Sequence, residues 1–171
     1  MAKVAYADPP YPGCAHLYKK EDSYGGEVDH KELIERLERD YDGWALSTSS
    51  PALAQLLPLC PDGIRIAAWT KPFCIFKPNV NPAYTWEPVL FKPPRRRGRK
   101  EPTIRDHVAV NITLKKGLVG AKPPEFCLWL FDLLQMEEGD ELADLFPGTG
   151  VVSRQWEIWK ARKCDLFGSA K

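Results

Sequence analysis

The chain has 171 residues, 44% of them hydrophobic, and a formal net charge of +1. This length favours one domain with a core of its own, and the near-neutral charge excludes a polyanion-binding field that covers the whole surface. No apolar run approaches the roughly 18 residues that a membrane-spanning helix needs, so we expect neither a membrane span nor a signal peptide. The five cysteines form no C-x-x-C pair, so we expect reduced thiols, a cytoplasmic protein and no bound metal.

The first part of the chain predicts strands that alternate with helices. An apolar run ends in Asp8-Pro9-Pro10-Tyr11, and Asp29, followed three residues later by a glutamate, is typical of a helix cap. Leu33, Ile34 and Leu37 fall on one face of that helix. The elements predicted here are a strand at 3–8, a polar loop at 12–28, a helix at 30–40, a strand at 44–48, a short helix after Pro51 and a strand at 64–69.

The second part continues the alternation after a proline-punctuated loop. The elements predicted here are a loop at 71–83, a strand at 84–91, a basic insert at 92–116, a helix at 125–136, a strand at 141–145, a helix at 151–160 and a short strand at 163–167. Strands that alternate with helices indicate an α/β sheet, and we expect its strands to be mostly parallel. Residues 1–171 are interpreted as a single domain, with the insert inside it.

The corner Asp8-Pro9-Pro10-Tyr11 combines groups that suit a planar amino ligand. Two prolines directly after a strand stop it, because they lack a ladder donor and fix their own backbone. The corner therefore presents a carboxylate, an aromatic ring and backbone carbonyls without a strand partner. Carboxylate and carbonyl can accept the two N–H bonds of an amino group while the ring stacks on its plane. A plain turn after an edge strand is the alternative for this motif taken alone.

A second corner lies near the other end of the chain. Asp144-Leu145-Phe146-Pro147-Gly148-Thr149-Gly150 follows an apolar-ending run and precedes a helical pattern. Its glycines would let the backbone approach a ligand closely, and the helix that follows would point its N–H groups at a carboxylate. The stretch lacks the G-x-G-x-x-G spacing and the phosphate lysine of nucleotide sites, so a nucleoside that carries an amino acid fits better. If the two strands are neighbours where the strand order reverses, both corners face one crevice.

In this combination the chain resembles the S-adenosylmethionine-dependent amino-methyltransferases of nucleic acids, in their circularly permuted form. The catalytic motif of that family is similar to Asp8-Pro9-Pro10-Tyr11, and its cofactor loop is similar to Asp144-x-Phe146-x-Gly148-x-Gly150. Lys122-Pro123 resembles the segment that precedes the cofactor strand. Trp69-Thr70-Lys71 with Trp86-Glu87 is similar to paired strands that are also found in relatives acting on RNA. The resemblance implies a Rossmann-like methyltransferase sheet.

The resemblance also implies the roles of individual residues. The exocyclic amine of a base is a poor nucleophile because its lone pair is delocalised into the ring, and hydrogen bonds to Asp8 and to the Pro9 carbonyl would free that lone pair. Asp8 would act by positioning and electrostatics, and Tyr11 would stack on a base flipped out of its helix. The implied catalytic residues are Asp8, Pro9, Pro10 and Tyr11. The residues implied to bind S-adenosylmethionine are Asp8, Lys122, Pro123, Asp144, Phe146, Gly148, Thr149 and Gly150.

The sequence departs from the family at the cofactor ribose. An acidic residue normally follows the next strand in that family and binds the ribose hydroxyls. Here Glu157 and Asp165 are the nearest candidates, and neither has the expected position. This departure concerns cofactor affinity more than catalysis, because the Asp8-Pro9-Pro10-Tyr11 motif is complete.

The insert at 92–116 carries a cluster of cations between the two motifs. Its residues Arg95, Arg96, Arg97, Arg99 and Lys100 are the predicted nucleic-acid contacts. Cations on such a segment would contact phosphates and make binding sensitive to salt, without reading sequence by themselves. A solvated basic loop is the alternative interpretation.

We therefore expect an adenine-N6 methyltransferase that uses S-adenosylmethionine and acts on DNA. Aspartate at the first motif position favours adenine, since relatives that methylate cytosine N4 usually carry serine there. The alternatives left open are an RNA adenosine-N6 or DNA cytosine-N4 methyltransferase and a non-catalytic nucleic-acid-binding module on the same fold. Methylation of a protein amide usually accompanies asparagine instead of Asp8. A homodimer also stays open, because so short a domain presents little surface to a duplex.

Overall fold

A six-stranded sheet forms the centre of the fold. The computed structural model describes residues 1–13, 27–113 and 121–167, with side chains as far as residue 162. The strands are β1 (Lys3–Ala7), β2 (Gly43–Ser47), β3 (Arg65–Thr70), β4 (Trp86–Lys92), β5 (His107–Ala109) and β6 (Glu141–Asp144). The α-helices are α1 (His30–Asp40), α2 (Leu53–Leu56), α3 (Pro124–Leu133) and α4 (Val151–Phe167), and a 3₁₀ turn flanks α2 on each side.

The strand order is β5-β3-β4-β2-β1-β6. β1 pairs in parallel with both β2 and β6, and β4 is antiparallel to β2 and to β3. β5 is parallel to β3, so β4 alone among these strands runs against the others. This confirms an α/β sheet that is mostly parallel. The chain leaves β1 toward β2 through α1 and later adds β6 on the other side of β1, so the strand order reverses at β1.

Helices cover both faces of the sheet, and β1 and β2 are therefore buried on both faces. Asp29 caps α1 as predicted, with its carboxylate accepting the first backbone N–H groups of the helix. The apolar side of α1 packs with Trp44 and Leu46 of β2. On the opposite face α3 packs against α4, where the rings of Phe131 and Trp156 meet edge to face at 5.3 Å between centroids.

Two features of the second half differ from the prediction. The insert contributes an unpredicted strand, β5, which pairs with the end of β3. The predicted short strand at 163–167 is wrong, because α4 continues to Phe167. No glycine or proline occurs between Gly150 and Gly168, so nothing in the sequence stops the helix where the strand was expected.

Parts of the predicted connections lie outside the described residues. These parts are residues 14–26 of the polar loop at 12–28 and residues 114–116 of the insert. The stretch at 71–83 is free of helix and strand, as predicted. Among the described helices, none is long and apolar enough to cross a membrane.

Candidate active site

The predicted catalytic corner lies where β1 ends. Asp8 follows the last residue of β1, and the Pro9 that comes next is buried. The Asp8 side chain keeps 21% of its surface exposed. β2, β3 and β6 end at this same edge of the sheet, which we call the carboxyl edge. Asp8 therefore stands at a solvent-accessible edge on a rigid strand end.

The second predicted corner lies beside the first. β6 pairs in parallel with β1 so that Asp144 is opposite Tyr6, and the Leu145 backbone N–H donates to the Tyr6 carbonyl at 2.9 Å. The chain therefore leaves both strands at the carboxyl edge, one strand apart. The pairing of β1 with β6 confirms that the two corner-forming strands are neighbours where the strand order reverses.

A buried lysine joins the catalytic corner from far along the chain. The Lys122 ammonium lies 2.9 Å from each carboxylate oxygen of Asp8, and the Lys122 side chain is only 5% exposed. The following Pro123 is the N-cap residue of α3, so the start of that helix fixes the position of the lysine. The ammonium also lies over the rings of Trp69 and Phe126, at 5.5 and 5.9 Å from their centroids. The structure thus brings the predicted cofactor-side lysine onto the predicted catalytic carboxylate.

Glu87 completes this group, and the sequence did not single it out as a site residue. Its carboxylate accepts a hydrogen bond from the Tyr11 hydroxyl at 2.8 Å and lies 3.3 Å from the Lys122 ammonium. Lys71 forms an ion pair with its other oxygen. The sequence signal that could have identified Glu87 was the resemblance of Trp69 and Trp86-Glu87 to paired strands. The antiparallel pairing of β3 with β4 indeed sets Glu87 opposite Trp69. We call Asp8, Lys71, Glu87 and Lys122 the ion cluster.

The two carboxylates of the ion cluster are perturbed in opposite directions. Burial raises the pKa of Asp8 above its ordinary value, although the Lys122 ammonium opposes the shift. Burial also acts on Glu87, but Lys122 and Lys71 together outweigh it and lower the pKa of Glu87 to about 2. Lys122 is buried as well, yet Asp8 and Glu87 raise its pKa well above the ordinary value. At neutral pH the lysine is therefore charged and Glu87 ionised.

The predicted cofactor loop has an unsatisfied acceptor and an open backbone. Asp144 Oδ2 accepts a hydrogen bond from the Ser153 hydroxyl at 3.3 Å, whereas its buried Oδ1 has no partner among the described residues. Burial raises the pKa of Asp144, and the nearby charge of Asp8 adds to the shift. Gly148 and Gly150 have φ of 45° and 67°, a conformation that disfavours side chains, and a Cβ at Gly150 would meet no atom within 4 Å. The backbone here is accessible to a ligand.

Phe146 and Thr149 are the other two predicted cofactor residues of this loop, and the structure describes both. Phe146 contributes to the lining of a cavity of about 240 Å³, together with residues at the start of α1 such as Leu33. The Thr149 carbonyl accepts a hydrogen bond from Arg154 of α4 at 3.0 Å. Glu157, one of the two predicted ribose candidates, pairs with Lys160 on the exposed side of α4. The side chain of Asp165, the other candidate, lies outside the described side chains.

The predicted nucleic-acid contacts divide into two groups. Arg95 forms a bidentate ion pair with buried Asp140, at 2.7 and 2.8 Å. Arg97 donates to two backbone carbonyls, at 3.1 Å each. Arg96, Arg99 and Lys100 are exposed and form no ion pair within the described residues. Three of the five cations are therefore directed to solvent.

Solved structures show the same fold. No protein-family model and no curated protein sequence matches the chain. The crystal structure of the M1.HpyAVI–SAM complex matches with a TM-score of 0.65 and 14% sequence identity, over 94% of this chain and 79% of that one. The crystal structure of M1.HpyAVI matches with a TM-score of 0.59 and 14% identity, over 94% and 78% of the two chains. The chain therefore has the α/β fold of these two structures. The predicted fold class, a mostly parallel α/β sheet, is confirmed.

No group of side chains suited to a metal ion occurs in the part of the chain that the structure describes.

Proposed function

We propose that the protein transfers a methyl group from S-adenosylmethionine to the exocyclic amine of adenine in DNA. The observation that carries the proposal is the Asp8 carboxylate, partly exposed and fixed by buried Lys122, one strand away from an open glycine loop. The likeness of Asp8-Pro9-Pro10-Tyr11 and of the glycine loop to amino-methyltransferase motifs supports this chemistry. The motif order supports a circularly permuted arrangement of the fold.

The cofactor proposal depends on the residues of the second corner. Asp144 Oδ1 is a buried acceptor without a described partner, which fits the ammonium of an amino acid. Gly148 and Gly150 leave space for close backbone approach, and α4 begins directly after them, which suits a carboxylate. These features fit S-adenosylmethionine, which was bound in the crystal structure of the M1.HpyAVI–SAM complex. When bound, it supplies an electrophilic methyl group on a sulfonium.

The chain's own residues orient the amine. Asp8 accepts one N–H and the Pro9 carbonyl accepts the other, which draws the nitrogen toward tetrahedral geometry. Lys122 holds Asp8 in place by a two-oxygen contact and favours its ionised form. Asp8 acts as a hydrogen-bond acceptor and not as a strong base: the N–C bond would form as the C–S bond of the sulfonium breaks, and the cationic methylated amine would then release one proton to solvent at this accessible edge.

Tyr11 provides the stacking surface for the base. Its hydroxyl is tied to Glu87, so the ring is held beside Asp8 and does not swing freely. Stacking of a base on an aromatic side chain contributes roughly 1–3 kcal/mol, which offsets much of the free energy of flipping. Glu87 therefore acts as a positioning residue for both Tyr11 and Lys122.

The exposed cations of the insert are proposed to contact DNA phosphates. Arg96, Arg99 and Lys100 are exposed, and each phosphate contact would contribute about one unit to the dependence of log affinity on log salt. Arg95 belongs to a different group, because its guanidinium is bound to Asp140. We therefore expect charge removal at Arg96 to weaken DNA binding, and charge removal at Arg95 to weaken the fold.

The test is transfer of a labelled methyl group from S-adenosylmethionine to unmethylated duplex DNA, followed by separation of the nucleosides. We expect label in methyladenine, reduced at least about 10²-fold by Asp8→Asn, because the amine then loses its charged acceptor. The control is Asp62→Asn, which removes an exposed carboxylate elsewhere. Label in methylcytosine would change the base, and label only in RNA would change the substrate. If no nucleoside carries label and calorimetry detects no cofactor binding, the enzyme proposal fails and the binding-module alternative replaces it.

A further inference from the structure

The connection between β3 and β4 exposes large apolar side chains beside the candidate active site. We call residues 71–85, which contain no helix or strand, the aromatic loop. Phe73, Ile75, Phe76 and Tyr84 are exposed by 53%, 66%, 70% and 56%. Four large apolar side chains in fifteen residues are more than the scattered exposure that is normal on a protein surface. Such a concentration indicates a surface that binds something.

The aromatic loop starts from the ion cluster. Lys71 is its first residue, and the ammonium of Lys71 pairs with Glu87, which holds Tyr11. The Lys71 backbone N–H donates to the Thr85 carbonyl at 2.7 Å and closes the base of the loop. A cavity of about 410 Å³ lies at this base, and Trp86 is part of its lining. A ligand at the base of the loop would therefore be a neighbour of the group that would receive the target base.

The charge of the loop indicates the chemistry of its ligand. Residues 71–85 contain no aspartate or glutamate, and of their two lysines Lys77 is exposed whereas Lys71 is paired with Glu87. The chain as a whole has 23 acidic residues, so their absence from an exposed stretch of this length distinguishes it from most of the surface. Exposed aromatic rings with cations and without carboxylates are the combination that binds single-stranded nucleic acid, where bases stack on rings and cations attract phosphates.

We infer that the aromatic loop binds unpaired nucleotides next to the target base. This inference rests on the proposed function and adds a substrate preference to it, because only an unpaired base exposes its face to Phe73, Phe76 or Tyr84. A target in single-stranded or locally opened DNA would present such bases on either side of the adenine. A protein partner with an apolar surface would also fit the rings, but the exposed Lys77 and the lack of carboxylates in the loop favour a polyanion.

The binding test uses a short fluorescein-labelled single-stranded oligodeoxynucleotide that contains one adenine, with anisotropy as the readout. Phe76→Ala and Tyr84→Ala are each expected to raise the dissociation constant roughly tenfold, because each removes one stacking surface. Leu59→Ala is the matched control, since Leu59 is also apolar and 38% exposed but lies in the connection that precedes β3. Unchanged affinity in both loop variants, or an equal loss in the control, would overturn the inference.

A second arm separates stacking from charge and from a protein partner. Replacing the nucleotides that flank the adenine by abasic sites should weaken wild-type binding roughly tenfold and should add little to Phe76→Ala. Equal losses in wild type and variant would contradict stacking on this ring. Self-association that Phe76→Ala abolishes in sedimentation, with oligonucleotide binding unchanged, would assign the loop to a second copy of the chain instead.

The readouts also distinguish this inference from the proposed function. Anisotropy measures binding without methyl transfer, whereas the labelling assay measures transfer. Loop-dependent binding without any labelled nucleoside would support the loop and reject the enzyme. Labelled methyladenine together with unchanged binding in Phe76→Ala and Tyr84→Ala would support the enzyme and reject the loop.

Discussion

Asp8 and Asp140 are both shielded carboxylates beside the same pair of strands, yet the fold treats them differently. Asp140 precedes β6 and accepts hydrogen bonds from the backbone N–H groups of Ala2 and Glu137, at 2.7 and 2.9 Å, and from the Arg95 guanidinium. Asp8 follows β1 and has Lys122 as its one hydrogen-bond partner within the described residues. Asp140 is fully enclosed, whereas Asp8 keeps 21% of its surface exposed.

The pKa values follow from this difference. Burial acts on both groups, but at Asp140 the hydrogen bonds from Arg95, Glu137 and Ala2 outweigh it and lower the pKa to about 2. At Asp8 burial outweighs Lys122, and the pKa rises. A carboxylate whose acceptor capacity is filled stabilises the fold. A carboxylate held with acceptor capacity to spare, at an accessible edge, is suited to bind a ligand.

The largest expected contrast is in stability. Asp140→Asn should lower the free energy of unfolding by about 3 kcal/mol, because it breaks the bidentate pair with Arg95 and leaves that guanidinium with the exposed Glu137, 3.7 Å away, as its remaining ion-pair partner among the described residues. Asp8→Asn should change the free energy by less than about 1 kcal/mol, since the cost of burying the Asp8 charge offsets its attraction to Lys122, and Lys122 keeps Glu87 as a partner. Urea denaturation measures both values. A larger loss for Asp8→Asn would mean that Asp8 is mainly structural.

A smaller effect is expected on kcat/KM when Glu87 is substituted. Glu87→Gln should lower kcat/KM for DNA roughly tenfold, because Tyr11 loses the charge that positions its ring. Cofactor affinity should change less, because Asp8 still holds Lys122. The matched control is Glu38→Gln, since Glu38 also pairs with a lysine, Lys92 at 2.6 Å, but lies on α1. An equal loss in the control, or a loss confined to cofactor binding, would contradict a positioning role for Glu87.

The smallest effect is on the pH dependence of stability, and its sign differs between the two aspartates. The folded pKa of Asp140 is about 2, below the ordinary 3.8, so its contribution is present above pH 3.8 and is lost as the pH falls toward 2. The folded pKa of Asp8 is raised, so its ionisation lowers stability as the pH rises above 3.8.

Unfolding free energies measured across this range should separate the two groups. Asp140→Asn should reduce the gain in stability between pH 2 and 3.8, by at most about 1.4 kcal/mol per pH unit. Asp8→Asn should instead make stability rise more steeply just above pH 3.8. Shifts of the same sign in both variants would reject the difference between the two sites.

The sequence by itself determined the features that depend on neighbours along the chain. The cap at Asp29, the proline corner after β1 and the glycine corner after β6 follow from local backbone preferences. The alternation of strands and helices implied a mostly parallel sheet, and a parallel sheet brings the ends of its strands to one edge. The failure at 163–167 was also local, because no stop signal separated the predicted strand from α4.

Only the tertiary structure decided which distant charges meet. Lys122 reaches Asp8 across 114 positions, and Glu87 enters the ion cluster through the antiparallel register of β4 with β3. Arg95 looked like its neighbours in the basic cluster but is bound to Asp140, 45 positions away. Sequence pattern does not encode such pairings, because a charged side chain carries no local signal of its partner. Strand register and helix packing choose that partner when they bury both groups together.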